Sequence, residues 1–196
     1  MIWAEKIRID EIDAEIYKSE LEKTPTERYE KIKDNKADAL KRTLAGRILL
    51  KKAIKQIFKT EDFVITYNQN GKPELDFCFF SISHSGDRVI CVLSDREIGV
   101  DIEVLSPLKK RERYMLFSDA ECRFVNNACN LEQAFYTVWT MKEAYIKAVG
   151  GALSDCAKID FVTNKGKLKT ELNGYLFKTA ITRDFVCTIC EKNVLH

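Results

Sequence analysis

The most constraining feature of the sequence is an approximate repeat of its middle in its last third. Residues 62–75 are echoed by residues 160–172, at an offset of about 95–98 residues. The same offset places a predicted helix around Arg42 over a predicted helix around Trp139. A true repeat predicts two similar halves built in the same order. Chance similarity is the alternative, because Val and Phe alternate in the strands of any sheet.

Hydrophobic periodicity indicates helices and strands in both halves. Apolar residues at helical spacing predict a helix over about residues 38–58, and alternation predicts an edge strand near the N-terminus. The other segments follow the same patterns, with strands at 63–67, 77–83, 89–94 and 98–104, helices at about 119–127 and 131–149, and strands between 159 and 191. We therefore expect an α+β fold and, if the repeat is real, a pseudo-two-fold fused dimer of two similar α/β halves at residues 1–97 and 98–196. A cleft between such halves is a usual place for a ligand site.

Composition excludes several classes of protein. The 196 residues carry 32 basic and 30 acidic side chains, a net charge of +2 that is too even for generic nucleic-acid binding. No apolar run approaches the roughly 18 residues of a membrane span, and charge at Glu5 and Lys6 argues against a secretory signal. The seven cysteines, an odd number, indicate reduced thiols and a cytoplasmic location. Cys187 and Cys190 are spaced C-x-x-C, but on a strand they point to opposite faces, which favours core filling.

A pair of carboxylates lies on a predicted strand in Ile98-Gly99-Val100-Asp101-Ile102-Glu103-Val104. Asp101 and Glu103 share one face of this strand, and the apolar residues between them share the other. Two adjacent carboxylates repel each other unless a cation lies between them, and oxygen ligands of this kind suit Mg²⁺. Acidic residues on an exposed strand are nevertheless common, so the pair alone is a weak signal.

A second set of polar residues lies on the predicted helix in Val138-Trp139-Thr140-Met141-Lys142-Glu143-Ala144-Tyr145-Ile146-Lys147. Trp139, Glu143 and Lys147 form one stripe at i, i+4 spacing, which is typical of a solvated helix face. If the helix lies beside the carboxylate strand, Glu143 supplies a third metal ligand and Lys142 and Lys147 are available for a phosphate.

The remaining candidates are a histidine and several basic residues upstream. His84 follows Ser83 where a strand enters a turn, where they and nearby backbone amides could bind an anion. A histidine in a turn is also often only a polar surface residue. Arg42 lies near the start of the long helix, and its guanidinium could take a phosphate bidentately. The other basic candidates are Arg28, Lys31 and Lys72.

In combination these motifs are specific. The order G-K-P, S-x-S-H-S, I-G-V-D-I-E and W-T-M-K-E-A-x-x-K, within about residues 28–153, resembles the surfactin-type (Sfp-type) 4′-phosphopantetheinyl transferase family. The resemblance implies a pseudo-two-fold fold. It also implies transfer of the phosphopantetheine arm of coenzyme A to a serine of an apo carrier protein, with release of 3′,5′-ADP. Gly150-Gly151-Ala152-Leu153 departs from the more usual G-x-G-L, which puts the local loop shape in question.

The resemblance also implies a role for each candidate residue. The metal ligands, for Mg²⁺ or Mn²⁺, would be Asp101, Glu103 and Glu143. Glu143 would also be the general base, and Lys147 the catalytic lysine beside the transferred phosphate. Coenzyme A would bind the N-terminal half at residues 1–97, whereas residues 98–196 would carry the metal and catalytic residues. The coenzyme A contacts would be Arg28, Lys31, Arg42, Lys72, Ser83, His84, Lys142 and Lys147.

The implied partner is an acyl or peptidyl carrier protein, a class of acidic proteins. We expect the chain to act as a monomer and to bind neither nucleic acid nor a membrane. The basic residues Lys109, Lys110, Arg111 and Arg113 are a candidate surface for it, although a solvated loop is the alternative. A catalytically inactive relative that binds coenzyme A or the carrier is the competing function. The presence of all three carboxylates and of Lys147 argues against it.

Overall fold

A computed structural model describes residues 3–22, 37–108 and 113–193. The helices and strands in chain order are β1 (Trp3–Arg8), α1 (Ala14–Glu22), α2 (Ala37–Phe58), β2 (Thr66–Tyr67), β3 (Pro73–Glu74), β4 (Phe79–Ser85), β5 (Arg88–Ser94), β6 (Ile98–Val104), α3 (Asp119–Asn126), α4 (Leu131–Val149), β7 (Glu171–Leu172), β8 (Tyr175–Ile181) and β9 (Phe185–Lys192). Short 3-10 turns lie at Ile9–Glu11, Arg113–Leu116 and Leu153–Lys158. The expected mixture of helices and sheets is confirmed.

Two antiparallel sheets carry most of the strands. The first has the order β1-β5-β4 and the second the order β6-β9-β8-β7. In the first sheet β5 lies in the middle and pairs with both β1 and β4. In the second sheet β9 pairs in the same way with β6 and β8. In both sheets the strand that comes last in the chain therefore pairs with the strand that comes first and with the strand just before it. A small third sheet pairs β2 with β3.

Each sheet packs against one long helix. Helix α2 buries its apolar stripe on the first sheet, with Leu49 and Ile54 against Val89 and Leu93. Helix α4 begins at Asn130, whose side chain accepts a hydrogen bond from the Gln133 backbone, and packs on the second sheet. It ends at Gly150, whose φ of 68° is the left-handed conformation that favours glycine at a helix C-terminus.

Most expected elements lie where periodicity places them. The helix expected over 131–149 is found with those limits, as is the strand over 98–104. The expectation of a strand over residues 63–67 was wrong in extent, because only Thr66–Tyr67 pairs with a neighbour. Helix α1 was not anticipated. No helix in the described ranges is long and apolar enough to span a bilayer.

The cysteines behave as expected from their spacing. All seven lie in the described ranges and are free thiols. Cys187 is buried among the apolar residues of β5 and β6, whereas Cys190 is buried against α4. Burial raises the pKa of Cys187 to about 12 and also raises the pKa of Cys190. Both thiols therefore stay protonated near neutrality, which agrees with core filling.

Candidate active site

The seam between the two sheets is formed by β4 and β6, which run in the same direction. Three serines on one face of β4 present their hydroxyls to β6, and each accepts a hydrogen bond from a β6 backbone amide. These bonds run from Val100 N to Ser81 Oγ (3.1 Å), from Ile102 N to Ser83 Oγ (3.3 Å) and from Val104 N to Ser85 Oγ (3.1 Å). The alternate serines thus stand in for the backbone carbonyls that a continuous sheet would supply.

Asp101 is buried at this seam with an exposed fraction of 4%. Its Oδ1 accepts hydrogen bonds from Ser83 Oγ at 2.7 Å and from Lys147 Nζ at 2.7 Å. Its Oδ2 is also buried, and it has no hydrogen-bond partner among the described residues. A buried carboxylate oxygen without a partner is unfavourable, so this atom is suited to a donor or cation brought by a ligand.

Glu103 lies two residues further along the same face of β6. Its Oε2 accepts a hydrogen bond from Ser85 Oγ at 2.7 Å. Its Oε1 accepts one from the indole Nε1 of Trp139 at 3.2 Å. The Glu103 side chain is thus held by one residue of strand β4 and one residue of helix α4.

Helix α4 brings Glu143 and Lys147 to the same seam. Lys147 Nζ donates to Asp101 Oδ1 and Ser83 Oγ (3.0 Å), and it lies 4.0 Å from Glu143 Oε2. The close approach of α4 depends on Gly99, where an added Cβ would lie 2.0 Å from the backbone oxygen of Ala144. The glycine of I-G-V-D-I-E therefore allows the helix to contact the strand that carries Asp101.

The three predicted metal ligands lie on the two elements that meet at the seam, β6 and α4, but they do not form a ready cation cage. Within the described residues, no group of three or more His, Cys, Asp or Glu side chains is arranged to hold a metal ion. The ammonium of Lys147 contacts Asp101 and lies beside Glu143 instead. The donors nevertheless suit Mg²⁺, because Asp101 offers a buried oxygen with no partner and Mg²⁺ needs few protein carboxylates.

Arg42 and His84 lie on the first-sheet side of the seam. Arg42 Nη1 donates to the backbone oxygen of Gly86 in the β4–β5 turn, at 3.0 Å. Partial desolvation of the imidazole, together with the positive charges of Arg42 and Lys147, lowers the pKa of His84. Three cationic or ionisable groups thus converge there, which favours an anionic ligand.

A cavity of about 260 Å³ lies between the first sheet and the C-terminal end of α4. Lys72 and Lys147 both line it, together with Ser81 and Gly150. Lys72 Nζ donates to the backbone oxygen of Ala148 at 2.6 Å, and burial lowers the pKa of its ammonium. The partial negative charge of the last carbonyls of α4 favours the ammonium of Lys72 at this position.

Comparison with known proteins covers this same region. Residues 97–190 match the model of the 4′-phosphopantetheinyl transferase superfamily. The transferase gsp of Aneurinibacillus migulanus is 34% identical over 128 residues, or 63% of this chain and 52% of its own. The transferase Sfp of Bacillus subtilis is 35% identical over 120 residues (58% and 54%), and AcpT of Salmonella typhi is 33% identical over 128 residues (60% and 62%). The resemblance to this superfamily is confirmed. The chain spans about half the length of the first of these relatives.

The lysine that precedes Glu143 in W-T-M-K-E-A-x-x-K is not at the seam. Lys142 is fully buried and pairs with the equally buried Glu121, Nζ to Oε2 at 2.9 Å. It also donates to the backbone oxygens of Cys156 (2.8 Å) and Ile159 (2.5 Å). The expectation that Lys142 contacts coenzyme A therefore does not agree with its position, because its three donors are engaged inside the protein.

Other expected residues of the transferase site have different outcomes. Arg28, Lys31 and the basic residues Lys109, Lys110 and Arg111 lie outside the described ranges. The hydroxyl of Ser83, expected at coenzyme A, contacts Asp101, Lys147 and the β6 backbone. The roles of Ser85 and Trp139 at Glu103 were not anticipated. Strict alternation of Ser81, Ser83 and Ser85 was the available signal, since it places three hydroxyls on one strand face.

Proposed function

We propose that this protein transfers the 4′-phosphopantetheine arm of coenzyme A to a serine of an apo carrier protein and releases 3′,5′-ADP. The observation that carries the proposal is the meeting of Asp101, Lys147 and Glu143 at the seam, inside the region that matches the superfamily. Acidic residues beside a lysine are the groups that phosphoryl transfer requires for charge stabilisation and proton transfer.

Coenzyme A is proposed to bind along the seam, with its anionic groups near His84 and Lys72. The cavity of about 260 Å³ supports this placement because Lys72 and Lys147 enter it from opposite halves. Residues 1–97 would bind coenzyme A, and residues 98–196 would supply the metal and catalytic residues. The shared strand order of the two sheets supports a pseudo-two-fold relationship between these halves, as the sequence repeat predicts.

The proposed reaction forms one P–O bond and breaks another. The carrier serine oxygen attacks the pyrophosphate phosphorus that bears pantetheine, and the bond to the leaving 3′,5′-ADP breaks. Glu143 accepts the serine proton, and Lys147 donates hydrogen bonds to the phosphoryl oxygens. Bound Mg²⁺, or Mn²⁺, would neutralise negative charge on the pyrophosphate. Asp101, Glu103 and Glu143 would hold it.

The proposed partner is an acyl or peptidyl carrier protein, received by a monomer. Carrier proteins are acidic, so the basic residues at 109–113 remain the proposed surface for them. Seven free thiols support a location in the reducing cytoplasm.

Intact mass spectrometry tests the proposal directly. A panel of apo carrier proteins is incubated with the protein, coenzyme A and Mg²⁺, and we expect a mass increase of one phosphopantetheine arm that EDTA abolishes. Asp101→Ala and Glu143→Ala should each abolish the increase while the circular dichroism spectrum is kept. Binding of coenzyme A without any mass increase would indicate the inactive relative instead, and normal turnover by both variants would overturn the site assignment.

A further inference from the structure

Glu103 is held at both of its carboxylate oxygens by side chains from two different elements. Ser85 of β4 donates to Oε2 at 2.7 Å, and Trp139 of α4 donates to Oε1 at 3.2 Å. We propose that Ser85 and Trp139 are positioning residues that fix the orientation of Glu103 toward the cation of the transfer reaction. The inference deepens the proposed function and rests on it.

The direction of the Ser85 hydroxyl follows from its other hydrogen bond. Its oxygen accepts from the backbone amide of Val104 at 3.1 Å, so its single proton is directed away from that amide and toward Glu103. Ser85 lies on β4 and Glu103 lies on β6, and the hydrogen bonds from the β6 amides to the β4 serines hold these two strands together. Neither residue therefore lies on a flexible loop. A hydroxyl so placed fixes one carboxylate oxygen with little freedom.

The second donor is equally constrained. Trp139 has an exposed fraction of only 7%, and its ring packs in the apolar cluster that contains Phe135 and Val138. An indole N–H is a donor only, and when buried it usually bonds to a polar group. Packing therefore directs this N–H at Oε1 of Glu103.

Both of these donors are neutral. Lys147 contributes a positive charge to Asp101, whereas Ser85 and Trp139 orient Glu103 without adding one. Outer hydrogen bonds of this kind commonly set the affinity of metal-binding carboxylates. Loss of a hydrogen bond to a charged group of this type weakens binding by about tenfold.

The first test needs no metal and no coenzyme A. The chain has two tryptophans, so Trp3→Phe leaves Trp139 as the single indole N–H in a proton NMR spectrum. In that background Ser85→Ala should shift the indole resonance and speed its exchange with solvent, because Glu103 can then turn away. Ser81→Ala is the matched control, since Ser81 also accepts from a β6 amide. It should leave the indole resonance in place.

The second test measures Mn²⁺ affinity by electron paramagnetic resonance and transfer by intact mass. Ser85→Ala should weaken Mn²⁺ binding by about tenfold and lower kcat, with the KM for coenzyme A nearly unchanged, and Ser85→Thr should restore both because it keeps the hydroxyl. Trp139→Phe should resemble Ser85→Ala. An unchanged indole resonance and an unchanged Mn²⁺ affinity in Ser85→Ala would overturn the inference. If the wild type binds Mn²⁺ but transfers nothing to any carrier, the proposed function fails while the indole shift and the weakened Mn²⁺ binding still support the positioning role.

Discussion

The ammonium of Lys147 and the carboxylate of Asp101 form an ion pair across the seam, with Nζ 2.7 Å from Oδ1. Asp101 is almost entirely buried, so it requires a positive partner, and Lys147 fills that role. The same ammonium is the proposed donor to the phosphoryl group. Binding of a cation and coenzyme A would therefore exchange the partner of Asp101 and release Lys147 toward phosphate.

Lys147→Met should separate stability from catalysis. Removing the ammonium leaves Asp101 buried without its cation, so the metal-free variant should lose about 1–3 kcal/mol of unfolding free energy, less than a fully buried pair because Lys147 is partly exposed. Added Mg²⁺ should then stabilise the variant more than the wild type, because the cation no longer competes with the ammonium. Urea unfolding with and without Mg²⁺ measures both effects, and transfer should be lost.

Lys147→Arg is the matched control for that prediction. It keeps the positive charge beside Asp101, so its metal-free stability should be closer to that of the wild type. If Mg²⁺ raises the stability of Lys147→Met no more than that of the wild type, then the ammonium and the cation do not compete for Asp101.

Gly99→Ala should be strongly destabilising. The added Cβ would lie 2.0 Å from the backbone oxygen of Ala144 and 2.4 Å from the backbone nitrogen of Ala148, so α4 and β6 would have to separate. We expect a loss of more than about 3 kcal/mol in urea unfolding, at the upper end of single substitutions. Gly46→Ala is a useful control, because the nearest atoms to its Cβ would be side-chain atoms of Ile82 and Val89, which can shift more easily than backbone. A loss for Gly99→Ala no larger than for Gly46→Ala would contradict this account of the close packing.

The sequence predicted the elements of the site better than its interactions. Periodicity located β6 and α4, and the strand pattern correctly placed Asp101 and Glu103 on one face. The contact between β6 and α4 could not be derived from the strand or helix periodicity, because it depends on the absence of a Cβ at Gly99. The expectation that β6 and α4 meet came only from the resemblance of the motifs to a known family.

Lys142 shows why a motif does not by itself assign a role. It is adjacent to Glu143 in sequence, yet a step of one residue on a helix turns the side chain by about 100°. That rotation directs Lys142 into the protein toward Glu121, whereas Lys147 lies on the same stripe as Glu143. The partner Glu121 lies in the first turn of α3, where its Oε2 also accepts a hydrogen bond from the Ser118 backbone amide at 2.8 Å in a capping box.

The lowered pKa of His84 should make the unfolding free energy depend on pH. Its pKa is lowered below the ordinary 6.5, so the unfolded chain binds this proton more tightly than the folded protein does. The stability contributed by neutral His84 is complete above about pH 6.5 and is lost as the pH falls toward the lowered pKa. Wild type should therefore lose more unfolding free energy than His84→Gln between about pH 7.5 and pH 5.

NMR gives an independent measurement of the same group. The chain has two histidines, and His84→Gln identifies the resonance of His84. Coenzyme A should raise the measured pKa of His84, because a nearby phosphate favours the imidazolium. A pKa at or above 6.5 without coenzyme A would contradict the partial burial of the ring and the influence of the positive charges of Arg42 and Lys147 on it.

The buried pair of Lys142 and Glu121 should behave as a structural unit. Both side chains are fully buried, so Lys142→Met or Glu121→Gln alone strands the other group and should cost about 3–5 kcal/mol. The double variant should lose less than the sum, because neither charge is then left alone. Urea unfolding of the four proteins completes the cycle. If Lys142→Met remains folded, its KM for coenzyme A should equal that of the wild type. A large rise in KM without loss of stability would show instead that Lys142 contacts coenzyme A.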